Sequence, residues 1–152
     1  KFENEIAKVL INKNKDFSEE SVNFDVIGLV TTDKEYKIAW HLNKLFDINL
    51  IKKSDEIINL VDGSKIMISY LEFKFERKHI KLISNRLKKS NRTYLVSALS
   101  NFDYFMLFSK RFFEFKDYDI IDRLKSNNTF QFANFVDVSK IKDRYYLSLW
   151  VK

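Results

Sequence analysis

The run FDYFMLF at residues 102–108 constrains the fold of this chain more than any other stretch. Every residue in it except Asp103 is apolar or aromatic, and the run is too short for a helix of its own. It therefore predicts a strand that is covered on both faces, which we interpret as the central strand of a sheet.

Asp103 is an ionisable group at the entrance to this predicted core, where an unpaired carboxylate is strongly unfavourable. We expect the carboxylate to be ionised and held by backbone amides of residues 97–101 or by a cation such as Arg86 or Arg92. Its role would then be structural. The alternative is a functional Asp103 in a pocket, strained or without a partner. A catalytic pair with Tyr104 is not expected, because adjacent residues of a strand point to opposite faces.

Helical periodicity is clearest at residues 33–46 and 117–125. The first predicted helix follows a capping box, in which the Thr32 hydroxyl accepts a hydrogen bond from the Glu35 amide and the Glu35 side chain reaches back to the cap. Its inward face is expected to comprise Ile38, Leu42, Leu45 and Phe46, widened by Ala39 and Trp40. The inward face of the second helix is expected to comprise Ile120, Ile121 and Leu124.

Strand-forming runs occupy most of the remaining chain, at residues 24–31, 55–60, 65–77, 79–85, 130–136 and 145–151. In the first run Gly28 marks a bulge or a close approach of neighbouring backbone. Asp62-Gly63 predicts a hairpin between the second and third runs. A single helical turn is predicted at residues 137–143.

These elements predict an α+β fold, with a mainly antiparallel sheet and two helices packed on one face. We expect one domain at residues 23–152, because 152 residues of which 45% are hydrophobic suit a single core. Residues 1–22 fit either a helix or a strand and are interpreted as an N-terminal arm. The pattern does not predict an oligomeric state.

The chain contains no Cys, which excludes disulfides and thiolate zinc sites. No apolar run approaches the ~20 residues of a membrane span, and the charged N-terminal residues lack the apolar core of a signal peptide. We therefore expect no membrane association and a cytoplasmic location.

No catalytic or metal-binding constellation stands out in the sequence, so we expect a binding protein without a cofactor rather than an enzyme. Neither His41 nor His79 has a Cys, Asp or Glu at the spacing of a metal pair or a catalytic triad. We expect His41 on the exposed face of the first helix. In the strand at residues 79–85, alternation predicts that His79 and Lys81 point outward. Ile80 and Leu82 would then point inward.

The net charge of +6 raises the question of a polyanionic partner. The candidate nucleic-acid-binding residues are Lys34, Lys37, His41 and Lys44 on the first helix, Arg86, Lys88, Lys89 and Arg92 in a loop, and Lys110 and Arg111 after the central strand. If the last two groups meet in space, they form a basic patch. The alternative is an ordinary solvated surface, because the chain has 21 Lys and only six Arg, and Lys is the less specific phosphate ligand.

The segment VSALSNFDY at residues 96–104 resembles the motif of the IPExxxVDY family of small uncharacterised bacterial proteins. Val96 matches its Ile, Phe102 its Val, and Asp103-Tyr104 its final Asp-Tyr. Ser97 and Ala98 replace its Pro and Glu, so no role of that Glu is carried over. FDVIGLVTTDKEYKIAWHLNK, LISNR and VDVSKIKDRYYL are similar as well and keep their order. The resemblance implies no activity, cofactor or catalytic residue. It implies a link to RNA or housekeeping metabolism, because genes of the family often lie beside those for ribonuclease III and pyruvate kinase.

The sequence is compatible with two alternative functions. The first is a basic module that contacts RNA, the ribosome or another polyanion through the cations named above. The second is a protein–protein adaptor or an accessory subunit of a housekeeping enzyme complex. Its interface would use surplus aromatic residues such as Tyr94, Phe112, Phe113 and Phe115.

Overall fold

The fold is organised around a six-stranded antiparallel sheet with the strand order β2-β5-β6-β7-β1-β8. The structure is a computed structural model and describes residues 24–59, 63, 65–88, 93–114 and 116–137. The strands are β1 (Phe24–Val30), β2 (Ile51–Lys52), β3 (Glu56–Asn59), β4 (Lys65–Ile68), β5 (Tyr70–Phe75), β6 (Lys78–Ser84), β7 (Tyr104–Ser109) and β8 (Phe132–Val136). The helices are α1 (Glu35–Phe46) and α2 (Asp117–Lys125), with a short 3₁₀ turn at Ser97–Leu99. The predicted α+β class is confirmed.

Strand β7 lies between β6 and β1, which confirms its predicted central position. Its residues from Phe105 to Phe108 are all buried, because the sheet is covered on both faces at this strand. Phe105 and Leu107 face one layer, and Met106 and Phe108 face the other.

Both helices pack on one face of the sheet, as the sequence predicts. From α1, Ile38 and Leu42 are fully buried, and from α2, Ile120 and Leu124 join the same cluster against the sheet. The bounds of α2 agree with the prediction. Trp40 does not widen the apolar face of α1, since its side chain is 52% exposed.

The predicted capping box at the start of α1 is wrong. The helix begins at Glu35 after Lys34, and no side chain caps it. Thr31 lies one residue before the predicted cap, Thr32. Its hydroxyl accepts a hydrogen bond from the Asp33 amide at 3.1 Å and donates to the Thr129 carbonyl at 2.7 Å. The Glu35 carboxylate accepts instead from the Ser69 hydroxyl at 2.9 Å. Partners distant in sequence thus replace the local cap.

A second layer covers the opposite face of the sheet. Strands β3 and β4 pair as a separate two-stranded sheet, which supplies the buried Ile66 and Ile68. The segment at residues 95–102 supplies the buried Leu95, Val96 and Phe102. The predicted hairpin around Asp62-Gly63 is consistent with the antiparallel β3–β4 pairing and with the positive φ of Gly63.

The long strand predicted at residues 65–77 is divided at Ser69, where the chain passes from the two-stranded sheet into β5. The Ser69 hydroxyl accepts from the Lys52 ammonium at 2.8 Å while donating to Glu35. Lys52 belongs to β2, a short edge strand that the sequence pattern did not predict, because both of its residues are exposed.

The prediction that His79 and Lys81 point to solvent is wrong. They do lie on the face opposite Ile80 and Leu82, but the second layer lies over that face, and Lys81 is only 7% exposed. The Glu72 carboxylate accepts a hydrogen bond from His79 Nε2 at 2.7 Å and lies 3.6 Å from the Lys81 ammonium. A half-buried charged cluster therefore lies within the sheet.

This cluster makes the free energy of unfolding depend on pH. Burial lowers the pKa of His79 from its ordinary value of 6.5, although the hydrogen bond that His79 donates to Glu72 acts to raise it. Burial alone would raise the pKa of Glu72, but the hydrogen bond with His79 and the charge of Lys81 together lower it from 4.5. For both groups the unfolded chain binds protons first as the pH falls, so acidification favours unfolding.

We predict that the free energy of unfolding falls as the pH is lowered from about 7.5 through 6.5, the unfolded pKa of His79. The variant His79→Gln keeps a donor for Glu72 but has no titrating group there, so it should lose less stability over the same interval. Urea unfolding at each pH measures the difference. Equal pH dependence in the two proteins would contradict the assignment.

Gly28 is a point of close approach, as predicted, but a side chain rather than backbone approaches it. The Phe102 ring lies over Gly28, and a Cβ atom built there would fall 2.6 Å from Phe102 Cγ. Any larger residue at position 28 must therefore displace Phe102 and the layer that it anchors.

We predict that Gly28→Ala destabilises the fold by about 1–3 kcal/mol through overpacking. Chemical unfolding of Gly28→Ala, Phe102→Leu and the double variant provides the test. Because Leu leaves room for the new methyl group, the double variant should lose less than the sum of the single losses. Strict additivity would show that the two residues do not compete for space.

Several predictions lie outside the described residues: the arm at residues 1–22, most of the helical turn at 137–143 and the strand at 145–151. Neither of the two described helices is long and apolar enough to cross a membrane.

Candidate functional site

The segment that resembles the family motif is held by a buried asparagine, Asn85, which follows β6. Its Nδ2 donates to the Leu99 and Phe102 carbonyls, both at 2.9 Å, and its Oδ1 accepts from the Val96 amide at 2.9 Å. Its backbone amide donates to the Asp103 carbonyl at 2.9 Å. Asn85 could not be predicted from the sequence pattern, because one polar residue at a strand end carries no distinctive signal. These bonds fix the direction in which Asp103 leaves the segment.

Asp103 is paired, and its main partner is Arg86, one of the two cations expected. Its Oδ1 accepts a hydrogen bond from Arg86 Nε at 3.1 Å and lies 2.9 Å from Nη2 in an ion pair. Its Oδ2 accepts from the backbone amide of Thr31 at 3.0 Å, rather than from an amide of residues 97–101. The hydrogen bond and the charge of Asp103 raise the pKa of the Arg86 guanidinium, which remains charged. Arg92 lies outside the described residues.

Asp103 also lines a cleft of about 670 Å³ at one end of the large sheet. The end of β1, the residues that precede α1, the end of β6 and the start of β7 form its walls. The lining residues are Val30, Thr31, Thr32, Asp33, Ser84, Arg86, Lys88, Ser100, Asn101, Asp103, Tyr104 and Gln131. The sequence left two alternatives for Asp103, a paired structural carboxylate or a functional group in a pocket. In the structure the carboxylate is paired and also lines the cleft.

Tyr104 lines the same cleft, which contradicts the expectation that Asp103 and Tyr104 cannot share a site. Asp103 precedes β7 instead of belonging to it, so strict strand alternation does not separate the two side chains. Burial, followed by the charges of Glu35 and Asp103, raises the pKa of the Tyr104 phenol to about 12. A phenol with this pKa stays protonated at neutral pH, so it can donate a hydrogen bond but cannot serve as a general base.

The candidate cations are not all in one place. Arg86 and Lys88 line the cleft, whereas Lys110 lies beyond the opposite end of β7, where its ammonium is 2.6 Å from Asp25 Oδ1. The strand rise of about 3.3 Å per residue puts the two ends roughly 20 Å apart. Arg111 follows Lys110 in a turn with a positive φ. The single basic patch therefore does not form from the described residues, and Lys89 and Arg92 lie outside them.

The predicted basic side of α1 is exposed and carries aromatic residues as well. Lys34, Lys37 and Lys44 are exposed as expected, while His41 is half-buried and its Nδ1 lies 3.2 Å from Asn127 Nδ2. Tyr36 is 73% exposed, and the Lys44 ammonium lies 3.9 Å from the centre of the exposed Trp40 ring. We call Tyr36, Lys37, Trp40 and Lys44 the basic-aromatic face. The four-residue spacing of Tyr36, Trp40 and Lys44 was the sequence signal for it.

The basic-aromatic face adjoins the cleft. Asp33 lines the cleft and forms a 3.5 Å ion pair with Lys37, which belongs to the face. The first turn of α1 therefore connects the two regions, so that Lys37 lies near the cleft that Arg86 and Lys88 line.

The aromatic residues expected at an adaptor interface mostly pack inward. Phe112 is 5% exposed, and Phe113 is half-buried against Phe108, with ring centres 5.0 Å apart. Tyr94 is half-buried, with the Arg86 guanidinium 5.8 Å from its ring centre. Phe115 lies outside the described residues. The turn after β7 directs Phe112 and Phe113 back to the core, which the sequence pattern did not reveal.

No protein-family model and no curated protein matches this chain. The resemblance to the IPExxxVDY family accordingly stays a hypothesis. No group of three or more His, Asp or Glu residues in the described part of the chain is arranged to hold a metal ion.

We predict that Asp103→Ala lowers the free energy of unfolding by about 1–3 kcal/mol, because the Arg86 guanidinium and the Thr31 amide lose their acceptor. The matched control is Asp25→Ala at the other end of β7. Its partner Lys110 is half exposed, so that loss should be about 1 kcal/mol or less. Urea unfolding measures both. An unchanged or raised midpoint for Asp103→Ala, together with loss of ligand binding, would reverse the structural assignment.

Proposed function

We propose that this protein binds single-stranded RNA, alone or within the ribosome, through the basic-aromatic face of α1. In this role the protein acts in the cytoplasm by binding RNA rather than by catalysing a reaction. The observation that carries it is the exposure of two aromatic rings among lysines on one helix face.

Stacking of bases on exposed aromatic rings, with cations along the backbone, is how proteins hold single strands without reading their sequence. Tyr36 and Trp40 offer rings one helical turn apart, and the Lys44 ammonium lies 3.9 Å from the centre of the Trp40 ring. From Tyr36 to Lys44 the face extends about 12 Å along the helix, at about 1.5 Å per residue. The face therefore has room for more than one nucleotide.

The lysines on this face are available for exchange with phosphate. Lys37 is paired with Asp33 at 3.5 Å, but its side chain is 55% exposed, and an exposed pair of this kind contributes little. The net charge of +6 adds a favourable long-range field for a polyanion. Lysine-rich surfaces without exposed rings lack the stacking component, so the rings distinguish this face from an ordinary solvated one.

We predict that Trp40→Ala weakens binding of a 5′-hydroxyl RNA of about ten nucleotides by roughly 5- to 100-fold, the equivalent of losing one stacked base. Lys37→Gln and Lys44→Gln should each reduce the salt slope of binding by about 0.7. Fluorescence anisotropy between about 50 and 200 mM salt measures both effects.

Two variants away from the face serve as matched controls. Phe75→Ala removes a ring that is 57% exposed on β5, and Lys110→Gln removes a cation beyond the far end of β7. Both should bind RNA as the unaltered protein does. Absence of RNA binding even at about 50 mM salt, where such binding is strong, would refute the proposal and favour the adaptor function, with Tyr36 and Trp40 as interface anchors.

A further inference from the structure

The cleft beside Asp103 has the dimensions of a site for a small ligand. Its volume of about 670 Å³ lies within the range of about 300–1,000 Å³ typical of such sites. Two cations, Arg86 and Lys88, line it together with the hydroxyl-bearing Thr32 and Ser100. These side chains are hydrogen-bond donors, which favours a ligand rich in acceptor oxygens.

Arg86 is held in position yet accessible. Its Nε donates to Asp103 Oδ1 at 3.1 Å and its Nη2 lies 2.9 Å from the same oxygen, while its side chain is 63% exposed. Among the described residues, its other terminal nitrogen, Nη1, has no hydrogen-bond partner. The ring of Tyr94, 5.8 Å from the guanidinium, supports it from one side. A guanidinium that is already ordered loses little conformational freedom when it binds an anion.

Both acidic residues that line the cleft, Asp33 and Asp103, lie within ion-pair distance of a cation. Asp103 accepts from Arg86 through one oxygen and from the Thr31 amide through the other. Asp33 is paired with Lys37. An incoming anion therefore meets carboxylates that each have a cation beside them, and Lys88 also lines the cleft. A phosphomonoester, with a charge of about −1.5 to −2 and three acceptor oxygens, uses these donors more fully than a carboxylate does.

We propose that the cleft binds a phosphomonoester, with Arg86 as the principal ligand and Lys88 as the second cation. This group occurs both on a free nucleotide and at the end of an RNA strand. The second source rests on the RNA-binding function proposed above, whereas the first does not. With a strand end in the cleft, the adjoining basic-aromatic face would receive the nucleotides that follow.

The first test uses adenosine 5′-monophosphate as the probe and adenosine as the phosphate-free control, with isothermal titration calorimetry on the full chain. The monophosphate should bind saturably and adenosine should not. Arg86→Gln should weaken binding about tenfold or more, as expected for a charge-assisted contact. Lys110→Gln, which removes another Asp-paired cation, should leave binding unchanged.

A second variant guards against misfolding of Arg86→Gln. Ser100 is exposed in the cleft wall, so Ser100→Asp places a negative charge there and leaves the Arg86–Asp103 pair intact. It should weaken binding of the monophosphate to a similar degree. Unchanged affinity in a folded Ser100→Asp protein, or equal binding of adenosine and its monophosphate, would overturn the phosphate assignment.

The second test compares an RNA of about ten nucleotides with a 5′-phosphate against the same RNA with a 5′-hydroxyl. Tighter binding of the phosphorylated strand, lost in Ser100→Asp, identifies the strand end as a ligand. Equal binding of both strands, with no binding of the monophosphate, overturns this inference but retains RNA binding. Binding of the monophosphate without binding of either RNA supports the cleft site for free nucleotides and refutes the proposed RNA function.

Discussion

The hydrogen bonds of the buried Asn85 side chain are the constraint on which the rest of this structure depends. They tie three backbone groups of the segment at residues 96–102 to the end of β6. Without the amide, the buried Val96 amide and Phe102 carbonyl would lose this partner, each at a penalty of about 1–3 kcal/mol. The Leu99 carbonyl would keep its bond from the Phe102 amide at 3.0 Å. The segment so fixed carries Val96 and Phe102 into the second layer and leads directly into Asp103. One side chain thus couples the packing of the sheet to the geometry of the cleft.

The cleft and the basic-aromatic face depend on the same short connection between β1 and α1. In it the Thr31 amide donates to Asp103 and the Thr31 hydroxyl donates to the Thr129 carbonyl ahead of β8. This arrangement joins the start of α1 to β7 and β8. Because core clusters cover both faces of the sheet, the positions of Arg86 and of the α1 lysines relative to one another are set by the core. A surface built in this way is preorganised, which lowers the entropy lost on binding.

Sequence reasoning succeeded where the signal is local. The bounds of α2 follow from its acidic first turn and from the spacing of Ile120 and Leu124, and the apolar content of β7 is sufficient to place it centrally. Prediction from the sequence failed where a residue's structure depends on a partner that is distant in sequence. Glu35 bonds to Ser69 instead of capping its own helix, and Lys81 is covered by a layer that alternation cannot reveal. The cleft escaped prediction for the same reason, since its walls come from four separated parts of the chain.

The position of β1 has a consequence for synthesis of the chain. Both strands that flank it, β7 and β8, come much later in the sequence, and the first β7 residue to pair with it, Tyr104, follows its partner Leu29 by about 75 residues. At a translation rate of about 5–20 residues per second, β1 emerges roughly 4–15 s before β7 is made. During that interval four consecutive buried residues, from Val26 to Leu29, lack both of the strands that flank them in the folded sheet. The six-stranded sheet can therefore close only after most of the protein has been translated.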